Sequence, residues 1–340
     1  TGGGCPHILA EPQRTNLIPY SEAFNSWLAR DNVTVAEDTS ETTSPSGNNT
    51  ASKITINSAS TVRRLFEVVT TSSGSDYTFT LYAKKGTTDY IRFFLNSNIF
   101  NVIFDLTNGT KTVIAGSGSI EAVGNDWYRL QATGTSSLTT EVPQIQLSNS
   151  ASINDYLYFW GAQFEESSYA TSYIPTSGST VTRNQDIFTR DGIGSLINST
   201  EGVLFAEIAS LSESGNYREL GLSDGTTSNR VLISYKSTDN VIRGSFQGSG
   251  GTNLEYTVTS IKDFHKIAVK WKVNDFALWV DGVEVGSDTS GSSFPADTLN
   301  SLALDDGGGA SKFFGKVKQL QVYKTALTDE QLLQLTGESG

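Results

Sequence analysis

The side chains able to do reactive chemistry are few. Cys5, His7 and His265 are the whole thiol and imidazole supply of the 340-residue chain. A typical His/Cys zinc site would need carboxylates to complete it, a disulfide within the chain is impossible, and triad or imidazole acid–base chemistry has little to draw on. His7 falls in the amino-terminal arm, and His265 shares a strand face with Ile267, Val269 and Trp271, the setting of a partly buried structural histidine. Carboxylates are more plentiful. Glycoside hydrolysis, however, needs two of them aimed from one sheet face at one bond, about 5–5.5 Å or 6.5–9.5 Å apart, and no ExDxxE run is present. Asp305-Asp306 and Asp329-Glu330 read as a turn former in a Gly-rich loop and as helix N-terminal charge. No catalysis is expected.

Binding is better supplied. A sugar-binding surface needs an aromatic face for the apolar side of a pyranose, with amides and charged groups for its hydroxyls, on a rigid exposed sheet. Strand alternation places Tyr82, Lys84, Arg92, Phe94, Asn96, Gln144 and Gln146 opposite the apolar positions Leu81, Phe93, Leu95, Ile145 and Leu147. These seven could form such a face, or equally line an interface with a neighbouring domain or subunit. In the second half Trp279 lies opposite Phe276, Leu278 and Val280, while Lys270 and Lys272 face away from Trp271. An outward Trp beside lysines could bind an acidic glycan or be covered by a partner chain.

The elements that would carry these side chains are strands. Runs rich in Val, Ile, Thr, Tyr and Phe recur between Gly, Ser, Asn and Asp clusters, as in YTFTLYAK (77–84), DYIRFFLNS (89–97), NVIFDLTNG (101–109), WYRLQATG (127–134), PQIQLSN (143–149) and DYLYFWGAQFE (155–165). The rhythm breaks at 171–186 and restarts with GVLFAEIAS (202–210), RVLISYK (230–236), NVIRGSFQ (240–247), HKIAVKWKV (265–273), DFALWVDGVEVG (275–286) and KVKQLQVYK (316–324). Asn108-Gly109 and Asp281-Gly282 read as hairpin turns, because both residue types tolerate positive φ. One helix is expected at 326–337, capped by Thr328 with Gln331 at the return position and stopped by Gly337. Its Leu332, Leu333 and Leu335 should pack on the second sandwich. The fold class is therefore all-β: two antiparallel β-sandwiches in tandem with a short C-terminal helix. Residues 1–13 read as an arm, 14–183 as the first sandwich and 184–340 as the second.

Composition closes off other classes. Net charge is −12 with no Lys/Arg cluster, so nucleic acid is not an expected partner. No apolar run approaches the roughly 20 residues of a membrane span. The absence of Met and the start at TGGGC suggest a processed product or a piece of a longer polypeptide, and Cys5 reads as a free thiol ahead of an intermolecular link.

Residues 11–27 (EPQRTNLIPYSEAFNSW), 77–86 (YTFTLYAKKG), 125–130 (NDWYRL) and 159–183 (FWGAQFEESSYATSYIPTSGSTVTR) resemble a jelly-roll module common in bacteriophage virion proteins, and more distantly jelly-roll carbohydrate-binding modules. Residues 267–286 and 315–332 are similar to laminin-G-like or concanavalin-A-like domains. The resemblance implies a tail-fibre, head-fibre or other virion surface protein, at the virion surface or extracellular, that binds host surface polysaccharide without cleaving it. Other virion proteins and further copies of the chain, a trimer favoured, are its implied partners. It assigns Trp127, Tyr158, Trp160 and Phe164 to the framework, and it implies structural Ca2+, with Glu22 and Glu165 in the first domain and Asp305 and Asp306 in the second as candidate ligands. A secreted bacterial carbohydrate-binding tandem and a purely structural virion decoration are the alternatives.

Overall fold

The structure, a computed structural model, describes residues 6–95, 99–148, 150–213 and 216–337. The chain divides into two units, one formed by Gln13–Asn184 and the other by the segment ending at Pro12 together with Gln185 onward. Each is a pair of six-stranded antiparallel sheets packed face to face.

In the first unit the front sheet runs in the order Thr110–Ala115, Asn101–Asp105, Tyr90–Leu95, Pro143–Leu147, Arg64–Phe66, Ala29–Asp31. The back sheet runs Ser117–Gly124, Trp127–Thr135, Asp76–Lys85, Tyr156–Glu166, Ser52–Ile56, Val33–Ala36. Period-two alternation sends Ile91, Phe93, Leu95, Ile145 and Leu147 from the front and Tyr77, Phe79, Leu81, Leu157, Phe159 and Phe164 from the back into one core. Phe93 lies between Phe79 and Phe104, with ring centroids 4.7 Å and 5.0 Å away.

The ends of this unit are tied together by the motif residues themselves. Asn16, wholly buried, donates its amide to the carbonyls of Ala162 and Ile174 and accepts from the N–H groups of Ile18 and Phe164. Gln163 accepts from Ile174 N–H, and the Thr176 hydroxyl donates to the Ile18 carbonyl. A buried backbone group left unpaired is costly, so this clasp requires an Asn near the start and Gln and Thr near the end. That is the physical content of the sequence motif.

In the second unit one sheet runs Ile8–Ala10, Gly315–Tyr323, Gly202–Ser210, His265–Trp271, Phe276–Val280, Val283–Asp288. The other runs Thr189–Arg190, Ser301–Ala303, Arg218–Ser223, Arg230–Tyr235, Val241–Gln247, Leu254–Thr257. The expected arm is thus in part a strand: Ile8–Ala10 pairs antiparallel with Gly315–Val317 at the sheet edge, where three residues are too few for alternation to be read. Asp281 and Gly282 both take positive φ (48° and 82°), the paired-turn geometry expected of them. At Asn108-Gly109 only the glycine does (62°), while the Asp105 carboxylate accepts from the N–H groups of Thr107 and Asn108 to close a longer turn.

The C-terminal helix, Asp329–Thr336, has the expected capping box between Thr328 and Gln331. It buries Leu332 against Val203, Phe205, Ala268, Ala277 and Trp279, with Leu335 packed beside them. Leu333 is exposed, one position round the helix from the buried stripe. No helix among the described residues is long and apolar enough to cross a membrane.

Candidate functional site

The outward face of the front sheet collects four of the eight expected binding residues. Register aligns them in cross-strand rows. One row is Ala29, Phe66, Gln144, Phe94, Asn101; the next is Asp31, Arg64, Gln146, Arg92, Ile103. Tyr90 and Asp105 begin a third. The sheet spacing of about 4.8 Å puts neighbours within reach, and they are joined by a polar chain. Arg64 Nε donates to Asp31 (2.7 Å) and its Nη1 to Gln144 Oε1 (3.2 Å). Gln146 Nε2 donates to the same Gln144 oxygen (3.1 Å), Arg92 Nη1 donates to Gln146 Oε1 (3.3 Å), and Arg92 Nε donates to Asn101 (2.7 Å). Each guanidinium also lies over a phenyl of the adjacent row, Arg64 over Phe66 at 4.9 Å and Arg92 over Phe94 at 5.0 Å. Long side chains held at both the polar head and the flat face lose little further freedom on binding.

An open groove of about 520 Å³ lies along this face, lined among others by Tyr90, Arg92, Ile103, Thr112, Gln146 and Ser148. Tyr90 is 44% exposed and donates to Asp105, and that bond to a carboxylate raises its pKa. Burial pushes Asp105 up, but bonds from Asn108, Thr107 and Tyr90 outweigh it and hold the carboxyl below its usual range. The Asp105 carboxylate beside Tyr90 is therefore negative, and Arg92, two residues further along the Tyr90 strand, is positive.

Of the residues expected from sequence, Arg92, Phe94, Gln144 and Gln146 meet here, Gln144 buried beneath its neighbours and holding Arg64 and Gln146 in place. Asn96 lies outside the described residues. Tyr82 and Lys84 do not join them, because their strand belongs to the back sheet. Tyr82 packs against Trp160 (5.2 Å) and Tyr173 (6.4 Å), and Lys84 donates to the Asn125 carbonyl. Asp31, Arg64, Phe66, Asn101 and Tyr90 were not expected. Arg64-Leu65-Phe66 is a three-residue strand whose only sequence signal is one buried Leu between two outward side chains.

The back-sheet aromatics form a second small core. Trp127, Tyr158 and Trp160 are buried with Ala51 and packed on by Tyr82, Tyr156 and Tyr173, whereas Phe164 belongs to the main core. The loop that precedes Ser52 seals them: Trp127 Nε1 donates to the Thr43 carbonyl, Trp160 Nε1 to the Thr50 hydroxyl and Tyr158 to Glu41.

Trp279 is 7% exposed beneath the C-terminal helix. Its neighbour Lys270 is 2.6 Å from Asp275 and 3.7 Å from Asp329 at the helix start. The expected aromatic platform of the second unit is thus the socket for the chain's own helix. The resemblance's carboxylates are committed elsewhere. Glu165 accepts from Gln163 and twice from Thr171, and Glu22 accepts from the Tyr173 hydroxyl. Asp305 and Asp306 accept N–H groups of Gly307, Gly308 and Ala310 in their own loop. Among the described residues no three His, Cys, Asp or Glu side chains converge on a metal position.

His265 is buried, with Nδ1 2.6 Å from Asp281 and Nε2 2.9 Å from the Ser260 carbonyl. It pins the Asp281-Gly282 turn. A larger cleft of about 820 Å³ in the second unit is lined by Ile8, Ile187, Phe188, Leu304 and Leu320 together with His7, Arg190, Lys318 and Gln319.

No curated protein matches the chain. Among solved structures, the CBM40 of the Ruminococcus gnavus IT-sialidase is 16% identical, with TM-score 0.37, over 44% of this chain and 99% of that one. The same module bound to α2,3-sialyllactose is 16% identical, with TM-score 0.36, over 44% and 98%. Domains LG4-5 of the mouse laminin α1 chain are 14% identical, with TM-score 0.29, over 77% and 88%. The family match lies in the second unit, where residues 200–333 match Laminin_G_3, of the concanavalin A-like lectin/glucanases superfamily.

Proposed function

We propose that this chain is a non-catalytic, glycan-binding component of a virion surface, and that the front face of its first unit is where the sugar docks. The observation that carries this reading is the pair of rows Phe66–Gln144–Phe94 and Arg64–Gln146–Arg92: aromatic surface, amides and guanidinium groups on a rigid sheet beside a groove. The match of residues 200–333 to the concanavalin A-like lectin/glucanases superfamily supports a carbohydrate-directed chain, and the absence of an ExDxxE run in the sequence supports the non-catalytic reading. The virion setting, with other virion proteins and further copies of the chain as partners, rests on the phage-module motifs at 11–27 and 159–183. Fold class by itself does not assign a ligand, so the test is direct. Intact chain on a glycan array should bind host-surface polysaccharide, and Phe94→Ala should weaken that binding while retaining the wild-type circular dichroism and melting curve. A blank array for the wild-type protein would remove the reading. Electron microscopy of the source particle with an antibody to the chain tests the virion setting separately.

A further inference from the structure

We infer that the front face selects sugars bearing a carboxylate, and that Arg92 reads the charge. This rests on the glycan-binding reading and adds the ligand class. Arg64 and Arg92 occupy one row on either side of Gln146, two strand spacings or about 10 Å apart at the backbone. They differ in what they face. Arg64 already has a carboxylate, Asp31 at 2.7 Å. Arg92 is held by neutral acceptors, Asn101 at 2.7 Å and Gln146 at 3.3 Å, and no carboxylate pairs with it among the described residues. In a chain with 36 Asp and Glu against 24 Lys and Arg, a cation held in place without being neutralised is against the average.

Geometry adds to this. The Arg92 guanidinium is stacked over Phe94 at 5.0 Å, so its plane is set before any ligand arrives. A guanidinium offers planar, paired N–H donors that match a carboxylate, which a neutral hydroxyl cannot use in the same way. The groove is lined by Arg92, by Ile103 and Thr112 in the same row, and by Tyr90 two residues back on the Arg92 strand. There the ionised Asp105 repels a second negative charge. A uronate or sialate ring would lie with its acid at Arg92 and its hydroxyls toward Tyr90 and Ser148.

The test is calorimetry on the full chain with oligogalacturonate, alginate oligomers and α2,8-linked sialic acid oligomers, each beside its carboxyl-reduced neutral form. At least one acidic oligomer should bind about tenfold or more tighter than its reduced form, and the difference should shrink as NaCl is raised. Arg92→Gln should abolish that preference and Arg92→Lys keep part of it, whereas Phe66→Ala should weaken both forms alike. Equal binding of acid and reduced forms, binding of neutral glycans alone, or a preference that survives Arg92→Gln would overturn the inference and leave the glycan-binding reading standing. Failure of every glycan, on the array as in the calorimeter, would remove both.

Discussion

Phe66 and Phe94 face the same residue, Gln144, from opposite sides, each with the arginine of its own strand lying over its ring. The arrangement is nearly symmetric about one strand, and it makes the aromatic surface of the front sheet two-sided rather than a single exposed ring. Either phenyl alone leaves half of the platform in place. Phe94→Ala and Phe66→Ala should each weaken binding of an array-identified glycan by more than about 1 kcal/mol, roughly fivefold or more, and the double variant by more than either alone. Titration calorimetry of the two singles and the double checks this, and a single variant without effect would place the sugar elsewhere.

The Asn16 clasp should be worth more to stability than any surface residue of the first unit. Asn16→Ala strands two buried carbonyls and two buried N–H groups at once. The expected loss is about 3–5 kcal/mol, given about 1–3 kcal/mol for each unsatisfied buried group and incomplete additivity. Urea unfolding followed by circular dichroism would measure it, and a loss under about 1 kcal/mol would mean that water or a local shift replaces the clasp.

Leu332 and Leu333 are adjacent in sequence and opposite in effect. Leu332→Ala should cost about 2–5 kcal/mol and expose Trp279 to water, shifting its emission to the red, because a wholly buried side chain leaves a cavity. Leu333→Ala, 51% exposed, should stay within about 0.5 kcal/mol. Fluorescence and thermal melts on the two variants decide whether the helix covers the tryptophan in solution.

The His265–Asp281 pair should make the second unit's stability depend on pH from both sides. Burial opposes charging His265, but its bonds to Asp281 and Ser260 outweigh this and raise its pKa. Burial likewise raises Asp281, and the bonds from His265 and Lys266 N–H outweigh it and lower the pKa. The aspartate contribution is present above the unfolded value near 3.9 and lost as pH falls through the folded one. The histidine contribution is present below the unfolded value near 6.5 and lost as pH rises through the folded one. Asp281→Asn keeps a residue type that tolerates positive φ, so it isolates the charge. Its destabilisation should be largest between about pH 4 and 6.5 and smaller on either side. A pH-independent difference in melting temperature would rule the ion pair out as its cause.

Much of this architecture follows from local chemistry. Alternation in Tyr77–Lys84 and Pro143–Leu147 settles which side chains face inward, since neighbouring Cβ atoms in a strand point to opposite faces. Thr328, Gln331 and Gly337 mark the helix ends because capping depends on groups three residues apart. The carboxylates show the limit. Glu22, Glu165, Asp305 and Asp306 read from sequence as ordinary surface or turn carboxylates or as metal ligands; Asp305 and Asp306 accept from N–H groups of their own loop and Glu165 from Thr171 six residues on, whereas Glu22 takes its donor from Tyr173, a segment only the fold brings near.

What the sequence determined by itself was the all-β class, the inward and outward side of each long strand, and the scarcity of reactive groups. Which outward residues stand together was decided by strand order, a long-range property. Tyr82 and Arg92 are on consecutive strands in the chain yet in different sheets, whereas Arg64 and Arg92 are separated by a whole back-sheet strand and meet across Gln146. Trp279 alternates outward as read, but a helix far along the chain covers it, because an apolar stripe on that helix had no other surface to bury. Alternation is set by each residue's own backbone, while neighbours across a sheet are set by the pairing of the whole set, and the candidate site is made of the second kind of contact.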